Sequence, residues 1–209
     1  DGLQHYTPLT LASWIIENGP ASASQAATWG HRICLALGIL HEAGLVHRDV
    51  KPSNLVFVNG DITLADYGLV GEPGSEADLI GTQGFIPLEG TSDPGADLFA
   101  LGKTLYQAFS GKDPMEFPSL PSKRTSGVDW EKRGRGLNAI ILQACHAQPR
   151  RRFGSAQEFA TALNDVMAGT GKVSRRFVAK AVGGASLAAM IAAVADRRRP
   201  LATVGWDRK

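Results

Sequence analysis

Apolar side chains recur every three or four residues over a stretch that follows Ser22 and Ser24, and this spacing predicts a helix with one buried face. Both serines are good N-cap residues, because their hydroxyl oxygens can accept the free backbone N–H groups of a first helical turn. The helix is expected to reach His41 and to stop at Gly44. Its buried positions are Trp29, Ile33, Ala36, Leu37 and Leu40.

Three more stretches with the same spacing lie towards the C-terminus. The first is strongly apolar, is expected to open at Asp97 and to end at Gly111, and is the best candidate for a central core helix. Two shorter amphipathic helices are expected after it. The apolar positions of the three helices are Leu98, Leu101, Leu105 and Phe109, then Leu137, Ile140, Ile141 and Ala144, then Phe159, Leu163 and Val166.

Short runs of β-branched, aromatic and other apolar residues predict strands at Val46, residues 55–58 and residues 62–64. Asn59-Gly60, between the last two runs, is a strong signal for a tight hairpin turn. The expected fold class is therefore α+β, mainly α, with a small β-hairpin sheet. Residues 69–92 show little periodicity and are expected to form a long loop, and long loops in compact domains usually carry function.

The composition changes after Gly169, where we place a boundary between a domain of residues 1–168 and a hydrophobic and basic tail of residues 169–209. The domain carries 13 Lys and Arg against 18 Asp and Glu, whereas the tail carries 9 against 2. This asymmetry predicts that the tail meets an anionic partner, such as a lipid headgroup layer or a nucleic acid. Residues 177–195, with Lys180 as their only charge, leave two interpretations open: a transmembrane helix, or a basic tail that is surface-lying or partly disordered.

The composition also limits the kind of domain. Hydrophobic residues make up 44% of the chain, which is enough for a sizeable core. Cys34 and Cys145 are isolated and lack metal-ligand spacing, so neither a disulfide framework nor a zinc site is expected. The two thiols are expected to be small buried side chains.

The most specific sequence is residues 47–54, which read His-Arg-Asp-Val-Lys-Pro-Ser-Asn; Asp66-Tyr67-Gly68 follows seventeen residues after Asp49. The two motifs and their spacing resemble the catalytic loop and the metal-binding motif of protein kinases, in particular bacterial-type serine/threonine kinases. The resemblance covers residues 1–168 and implies the large, mostly helical C-terminal lobe of a kinase domain, beginning near the hinge that follows the small lobe. It implies ATP and Mg²⁺ as cofactors and a protein with Ser or Thr as substrate.

The places of four residues in these motifs imply direct roles in phosphoryl transfer. Asp49 resembles the catalytic base that accepts the proton of the substrate hydroxyl, and Lys51 resembles the lysine that meets the γ-phosphate. Asn54 and Asp66 resemble the magnesium ligands. Tyr67 replaces the usual phenylalanine of the metal-binding motif and keeps an aromatic plug beside Gly68.

Other residues resemble supporting positions of the family. His47 is implied to shape the loop by packing and hydrogen bonding, and Arg48 resembles an arginine that pairs with a phosphate on the activation segment. Residues 81–89 resemble the end of that segment, with Thr82 implied to position the substrate. Two structural contacts are implied as well. Glu89 and Arg152 are implied to form a buried ion pair, and Asp97 is implied to anchor the backbone of the catalytic loop. Leu88 departs from the family, which has a proline there.

A protein kinase also holds ATP with a small lobe, made of a Gly-rich strand pair, a strand lysine and a helix glutamate. None of these parts precedes the catalytic loop within the 209 residues. We therefore expect this chain by itself to be close to inactive, whereas the intact protein phosphorylates Ser or Thr.

Two functions of other classes compete with this interpretation. One is a non-catalytic, pseudokinase-like interaction or scaffold module, which has no physical need for the base and metal ligands present at Asp49, Asn54 and Asp66. The other is nucleic-acid binding, which is disfavoured because the basic tail lacks interleaved aromatic residues. The expected location is the cytoplasm, with anchoring to membrane lipid by one C-terminal helix as an alternative to a free domain.

Overall fold

The computed structural model describes residues 8–74, 81–119 and 133–169, and within them the chain is mainly helical with one two-stranded antiparallel sheet. Short 3₁₀ turns connect several of the elements. The helices and strands are α1 (Leu11–Asn18), α2 (Ala23–Glu42), β1 (Leu55–Val58), β2 (Asp61–Leu64), α3 (Pro94–Ser110), α4 (Arg135–Ala144) and α5 (Ala156–Met167). The 3₁₀ turns are Pro52–Asn54, Pro114–Glu116 and Pro149–Arg151.

Helix α2 is the longest of the described helices, and its start is capped as its sequence predicts. The Ser22 hydroxyl accepts the backbone N–H of Gln25, while the Gln25 side chain accepts the backbone N–H of Ser22, so two free donors are satisfied reciprocally. The helix packs against α5 and α3. A methyl group at Gly30 would lie 2.8 Å from Leu105 Cδ1, so the absence of a side chain there allows the close approach of α2 and α3.

Helix α3 forms the centre of the core and is buried along most of its length. It begins at Pro94, three residues before the predicted start at Asp97, because the Asp93 side chain accepts the backbone N–H of Ala96 and Pro94 suits the first helical position. It ends as predicted: Gly111 takes the left-handed conformation, with φ +67°.

The hairpin is confirmed, with Leu55 paired to Leu64 and Val58 paired to Asp61. Asn59 and Gly60 both have positive φ, at +52° and +86°, as a two-residue turn of this kind requires. Val46 forms a single bridge to Gly71 in place of a strand. The bridge ties the chain before the hairpin to the chain after it.

Helix α1 has no counterpart among the predicted helices. Thr10 caps it by accepting the Ser13 N–H, and Ser13 accepts the Thr10 N–H in return, so the box uses Ser where Glu or Gln is usual. An aromatic chain holds the helix in place: the Trp14 and Trp29 rings meet edge to face at 4.9 Å, and Trp29 meets Phe57 of β1 at 5.6 Å.

The cysteines agree with the sequence expectation, since Cys34 and Cys145 are buried free thiols whose pKa values are raised by burial. In the three described ranges, no helix has both the length and the apolar character needed to cross a membrane. The possible span at residues 177–195 lies outside the described residues, and the division at residue 169 stays a prediction.

Candidate active site

The loop of residues 47–54 is held by one carboxylate at the start of α3. Asp97, only 1% exposed, accepts the backbone N–H of His47 on Oδ2 and that of Arg48 on Oδ1, each at 2.8 Å. His41 Nε2, at the end of α2, lies 2.9 Å from the same Oδ2. Arg48 has a positive φ of +70°, an unfavourable conformation for a residue with a side chain, and the two backbone bonds to Asp97 hold it there.

Asp49 stands at the centre of a cluster of polar contacts. Its Oδ1 accepts the hydroxyl of Thr82 at 2.8 Å, and its Oδ2 lies 2.7 Å from Lys51 Nζ and 2.9 Å from Asn54 Nδ2. Lys51 Nζ also donates to Thr82 Oγ1 at 2.7 Å. The structure therefore brings Asp49, Lys51, Asn54 and Thr82 together, although Thr82 is 33 residues from Asp49 in the chain.

The surroundings keep the Asp49 carboxyl ionised. Burial alone would raise its pKa, but hydrogen bonds from Lys51, Thr82 and Asn54 and the charge of Lys51 outweigh burial, so the pKa lies below its ordinary value. Asp49 is therefore a carboxylate at neutral pH, with two oxygens that accept protons or hydrogen bonds. A hydroxyl group brought to this cluster would meet an acceptor beside a lysine cation.

Asn54 and Asp66 come just before and just after the hairpin, at its open end, where the Ala65 N–H donates to the Asn54 carbonyl at 2.9 Å. Asp66 has a positive φ of +62°, and its Oδ1 lies 3.4 Å from the N–H of Gly68. Asn54 uses its amide N–H₂ on Asp49, while its amide oxygen lies 3.4 Å from the Ser53 hydroxyl that donates to it. An amide oxygen and a carboxylate are the donor types that Mg²⁺ takes. In the described part of the chain, no group of three or more His, Cys, Asp or Glu forms a metal site by itself.

His47 links the loop to the segment after β2. The Asp49 N–H approaches Nδ1 at 3.4 Å, and Nε2 lies 3.2 Å from the Ala65 carbonyl, so the ring fits the neutral tautomer with its proton on Nε2. Burial lowers the pKa of His47, against opposing contributions that include the charge of Asp97, and this favours the neutral ring. The Tyr67 ring meets His47 edge to face at 5.6 Å, and its hydroxyl donates to the Leu64 carbonyl at 3.0 Å. Tyr67 is 59% exposed, so in the described structure it is not the buried aromatic plug that the sequence predicts.

The Arg48 side chain connects the loop to the beginning of residues 69–74. Its Nη2 donates to the Glu72 carbonyl at 2.6 Å. It also lies over Gly71, where a methyl group would approach Arg48 Nη1 to 2.8 Å. Gly71 thus provides the space for the guanidinium, and the bridge between Gly71 and Val46 closes the same junction.

Glu89 and Arg152 form an ion pair at the end of residues 81–89. Both guanidinium Nη atoms donate to the Glu89 carboxylate, one to each oxygen, and Nε donates to the His146 carbonyl at 2.8 Å. The Arg152 side chain is 3% exposed and that of Glu89 is 28% exposed. Arg152 also covers the Phe99 ring, with its guanidinium carbon 4.7 Å from the ring centre. Leu88, beside this pair, is exposed.

Sequence reasoning missed His41 as part of this region. The helical spacing places this residue at the end of a predicted helix, and nothing in that spacing indicates that its ring meets Asp97, 56 residues away. The Glu72 carbonyl was missed as well, because a backbone acceptor leaves no mark in a sequence.

Residues 3–163 match the family model described as protein kinase domain. The chain is 31% identical over 170 residues to serine/threonine-protein kinase D of Synechocystis sp., which covers 72% of this chain and 33% of that protein. It is 31% identical over 179 residues to a probable serine/threonine-protein kinase of Corynebacterium efficiens, which covers 73% of this chain and 27% of that protein. It is 27% identical over 187 residues to serine/threonine-protein kinase PknB of Mycolicibacterium smegmatis, which covers 77% of this chain and 29% of that protein. The chain spans about a third or less of the length of these relatives.

Proposed function

Since this chain belongs to the protein kinase family, among the bacterial-type serine/threonine kinases, we propose that its residues transfer the γ-phosphate of ATP to Ser or Thr hydroxyls of a protein substrate. The observation that carries the proposal is the contact of the Asp49 carboxylate with Lys51, Thr82 and Asn54. A carboxylate, a cation and a hydroxyl that lie together are the kinds of group that phosphoryl transfer uses, and this supports the proposal.

Asp49 acts on the hydroxyl of the substrate. Its lowered pKa keeps it ionised at neutral pH, so it can orient the hydroxyl and accept its proton as the oxygen bonds to the γ-phosphorus and the bond from that phosphorus to ADP breaks. The substrate hydroxyl would bind at Asp49 Oδ1, the oxygen that accepts the Thr82 hydroxyl in this structure. Thr82, which contacts both Lys51 and Asp49, would keep these two side chains in position.

Lys51 supplies positive charge to the γ-phosphate. Its Nζ lies 2.7 Å from both Asp49 Oδ2 and Thr82 Oγ1, so a phosphate that reaches Lys51 is also within reach of a hydroxyl on Asp49. This proximity supports in-line transfer, because orientation of the two reacting groups contributes much of the rate enhancement.

Asn54 and Asp66 would hold Mg²⁺, since the amide oxygen and the carboxylate fit the donor set of this ion. When bound, the metal neutralises the phosphate oxygens. The left-handed backbone of Asp66 and its contact with Gly68 orient the carboxylate, while Asn54 is held from behind by its two bonds to Asp49.

The remaining motif residues support the site in this proposal. Asp97 and His47 fix the backbone of the catalytic loop, Arg48 connects the loop to the start of the activation segment, and Tyr67 packs on His47. Glu89 and Arg152 hold the end of the activation segment.

The activity is proposed for the protein that contains this chain. The 209 residues include the proton acceptor and the metal ligands, whereas a Gly-rich strand pair and its lysine do not occur before the catalytic loop. That the 209 residues alone have little activity, and that residues 1–168 form a C-terminal lobe, remain part of this proposal.

The test is transfer of radiolabelled γ-phosphate from ATP to Ser- and Thr-containing peptides by the full-length protein and its Asp49→Asn variant. Loss of the general base is expected to reduce kcat by about 10²–10⁴-fold. Asp61→Asn is the matched control, because Asp61 is a surface residue paired with Arg32. Equal rates in wild type and Asp49→Asn would contradict the mechanism. No transfer by the wild-type protein would favour the scaffold module.

A further inference from the structure

Lys103 is a buried cation in the middle of α3 that the proposed mechanism does not use. The residue is only 8% exposed, and in the described ranges no carboxylate forms an ion pair with it. Burial lowers the pKa of the ammonium, and the nearby Cys145 and Asp113 act in the opposite direction. Burying a charge is unfavourable unless the charge is paired or hydrogen-bonded. The contacts of the Lys103 ammonium therefore indicate its structural role.

The ammonium of Lys103 is directed at one turn of the chain. It donates to the carbonyl of Pro114 in the turn Pro114–Glu116, and it lies 4.8 Å from the centre of the Phe117 ring. The Tyr106 hydroxyl holds the chain three residues beyond this turn by donating to the Ser119 carbonyl at 2.6 Å. Two side chains of α3 therefore fix residues 114–119.

That turn packs against the beginning of residues 84–89. A methyl group at Gly84 would lie 3.1 Å from Pro114 Cγ and 3.4 Å from Met115 Sδ, so the backbone of Gly84 packs closely against these two side chains. Gly84 comes two residues after Thr82, whose hydroxyl bonds Asp49. The position of the Pro114 turn therefore affects residues 84–89, which follow the threonine that contacts the Asp49 carboxylate.

The other end of residues 84–89 is connected to the same part of α3. Glu89 pairs with Arg152, and the guanidinium of Arg152 lies over the Phe99 ring at 4.7 Å. The Lys103 ammonium lies 6.0 Å from the centre of that ring. Both ends of the segment are thus supported from neighbouring turns of one buried helix.

We propose that Lys103 is a positioning residue for the protein substrate: its ammonium holds the Pro114 turn against Gly84 and thereby sets the shape of residues 84–89. A polypeptide whose hydroxyl reaches Asp49 must pass close to the residues that follow Thr82. The shape of this segment therefore determines how well a substrate chain fits. This inference rests on the proposed kinase function.

The test uses Lys103→Met in the full-length protein, because methionine keeps the length of the side chain and removes the charge. Hydrogen exchange is expected to become faster in residues 113–119 and also in residues 81–90. The KM for a peptide substrate is expected to rise at least about tenfold, the lower end of what one hydrogen bond to a charged group is worth, while the KM for ATP is unchanged. The melting temperature is expected to stay level or rise, because the variant no longer buries a charge.

Lys112→Met is the matched control. Lys112 contacts Glu116 and Ser119 on the outer side of the same turn and does not hold Pro114, so exchange in residues 81–90 should stay at the wild-type rate. Two results for Lys103→Met would overturn the proposal. One is faster hydrogen exchange that is confined to residues 113–119; the other is faster hydrogen exchange throughout the helices together with a lower melting temperature. An unchanged KM for peptide would overturn it as well. If the wild-type protein transfers no phosphate, the kinase proposal fails, and the exchange of residues 81–90 alone decides whether Lys103 sets this segment.

Discussion

Asp97 accepts the backbone N–H of Arg48 at 2.8 Å, although the two residues are 49 positions apart in the chain. The same carboxylate accepts the N–H of His47, so a single buried side chain satisfies two consecutive donors of the catalytic loop. Two bonds to one residue on the central helix thus help to hold the loop in an unfavourable backbone conformation at Arg48.

Asp97→Asn is expected to destabilise the protein and to slow phosphoryl transfer. An amide has one acceptor oxygen, so one of the two buried N–H groups would face another N–H, at a cost of about 1–3 kcal/mol in the free energy of unfolding. Denaturant unfolding and kcat measure the two effects. Asp93→Asn is the control on the same helix, because asparagine caps a helix as well as aspartate does. Equal stability of the two variants would contradict this role for Asp97.

Glu89→Gln is expected to lower the free energy of unfolding several times as much as an average surface substitution does. It leaves the Arg152 guanidinium, 3% exposed, without its anion, and breaking a buried ion pair costs about 3–5 kcal/mol. The partial exposure of Glu89 places the expected loss in the free energy of unfolding at the lower end of that range. Adding Arg152→Met should recover part of the loss, because the unpaired charge is removed. A double variant whose loss equals the sum of the two single losses would show that the residues are not coupled.

The pH dependence of stability should show the lowered pKa of Asp49. Because the pKa is lower in the folded protein than its ordinary value of 3.8, the contribution of the carboxylate is complete above that value and is lost as the pH falls through the folded pKa. The difference in unfolding free energy between wild type and Asp49→Asn is therefore expected to be constant from about pH 5 to pH 8 and to change only in stronger acid. Urea unfolding across this range measures it. A difference that already changes near pH 6 would mean that burial, which raises the pKa, dominates.

Gln143→Met is expected to stabilise the protein. Gln143 is 1% exposed, and neither atom of its side-chain amide has a hydrogen-bond partner in the described structure. Removing a buried amide without partners should raise the free energy of unfolding by about 1–3 kcal/mol. Thermal unfolding checks this, with Gln148→Met as the control because Gln148 is exposed on the following turn. A lower melting temperature for Gln143→Met alone would show that the amide has a role in the fold.

Local signals were sufficient for much of the fold. Helix α2 and the hairpin were predicted because their caps, turns and apolar spacing all lie within a few residues of one another. The start of α3 was placed wrongly at Asp97, since Asp93 followed by Pro94 is the stronger cap. Helix α1 was missed because it is only eight residues long and its stability comes from the contact of Trp14 with Trp29. That contact depends on the tertiary structure.

The candidate site likewise contains residues that the sequence predicts and contacts that depend on tertiary packing. The motif identifies Asp49, Lys51, Asn54 and Asp66 as a set, because their spacing is local. The approach of Thr82 to Asp49 and of His41 to Asp97 depends on how distant parts of the chain pack. Lys103 gave no functional signal, since a lysine within an apolar helix has the same appearance in a sequence whether it is buried or reaches the surface.

The ion pair of Glu89 with Arg152 joins residues 63 positions apart, and this separation has a consequence for the newly made protein. A ribosome that adds about 5–20 residues per second needs roughly 3 to 13 seconds to extend the chain from one partner to the other. During that interval the loop of residues 47–54 has already been synthesised, while the guanidinium that holds Glu89 has not. The order of synthesis therefore delays the fixing of residues 81–89 at their Glu89 end until the chain has reached Arg152.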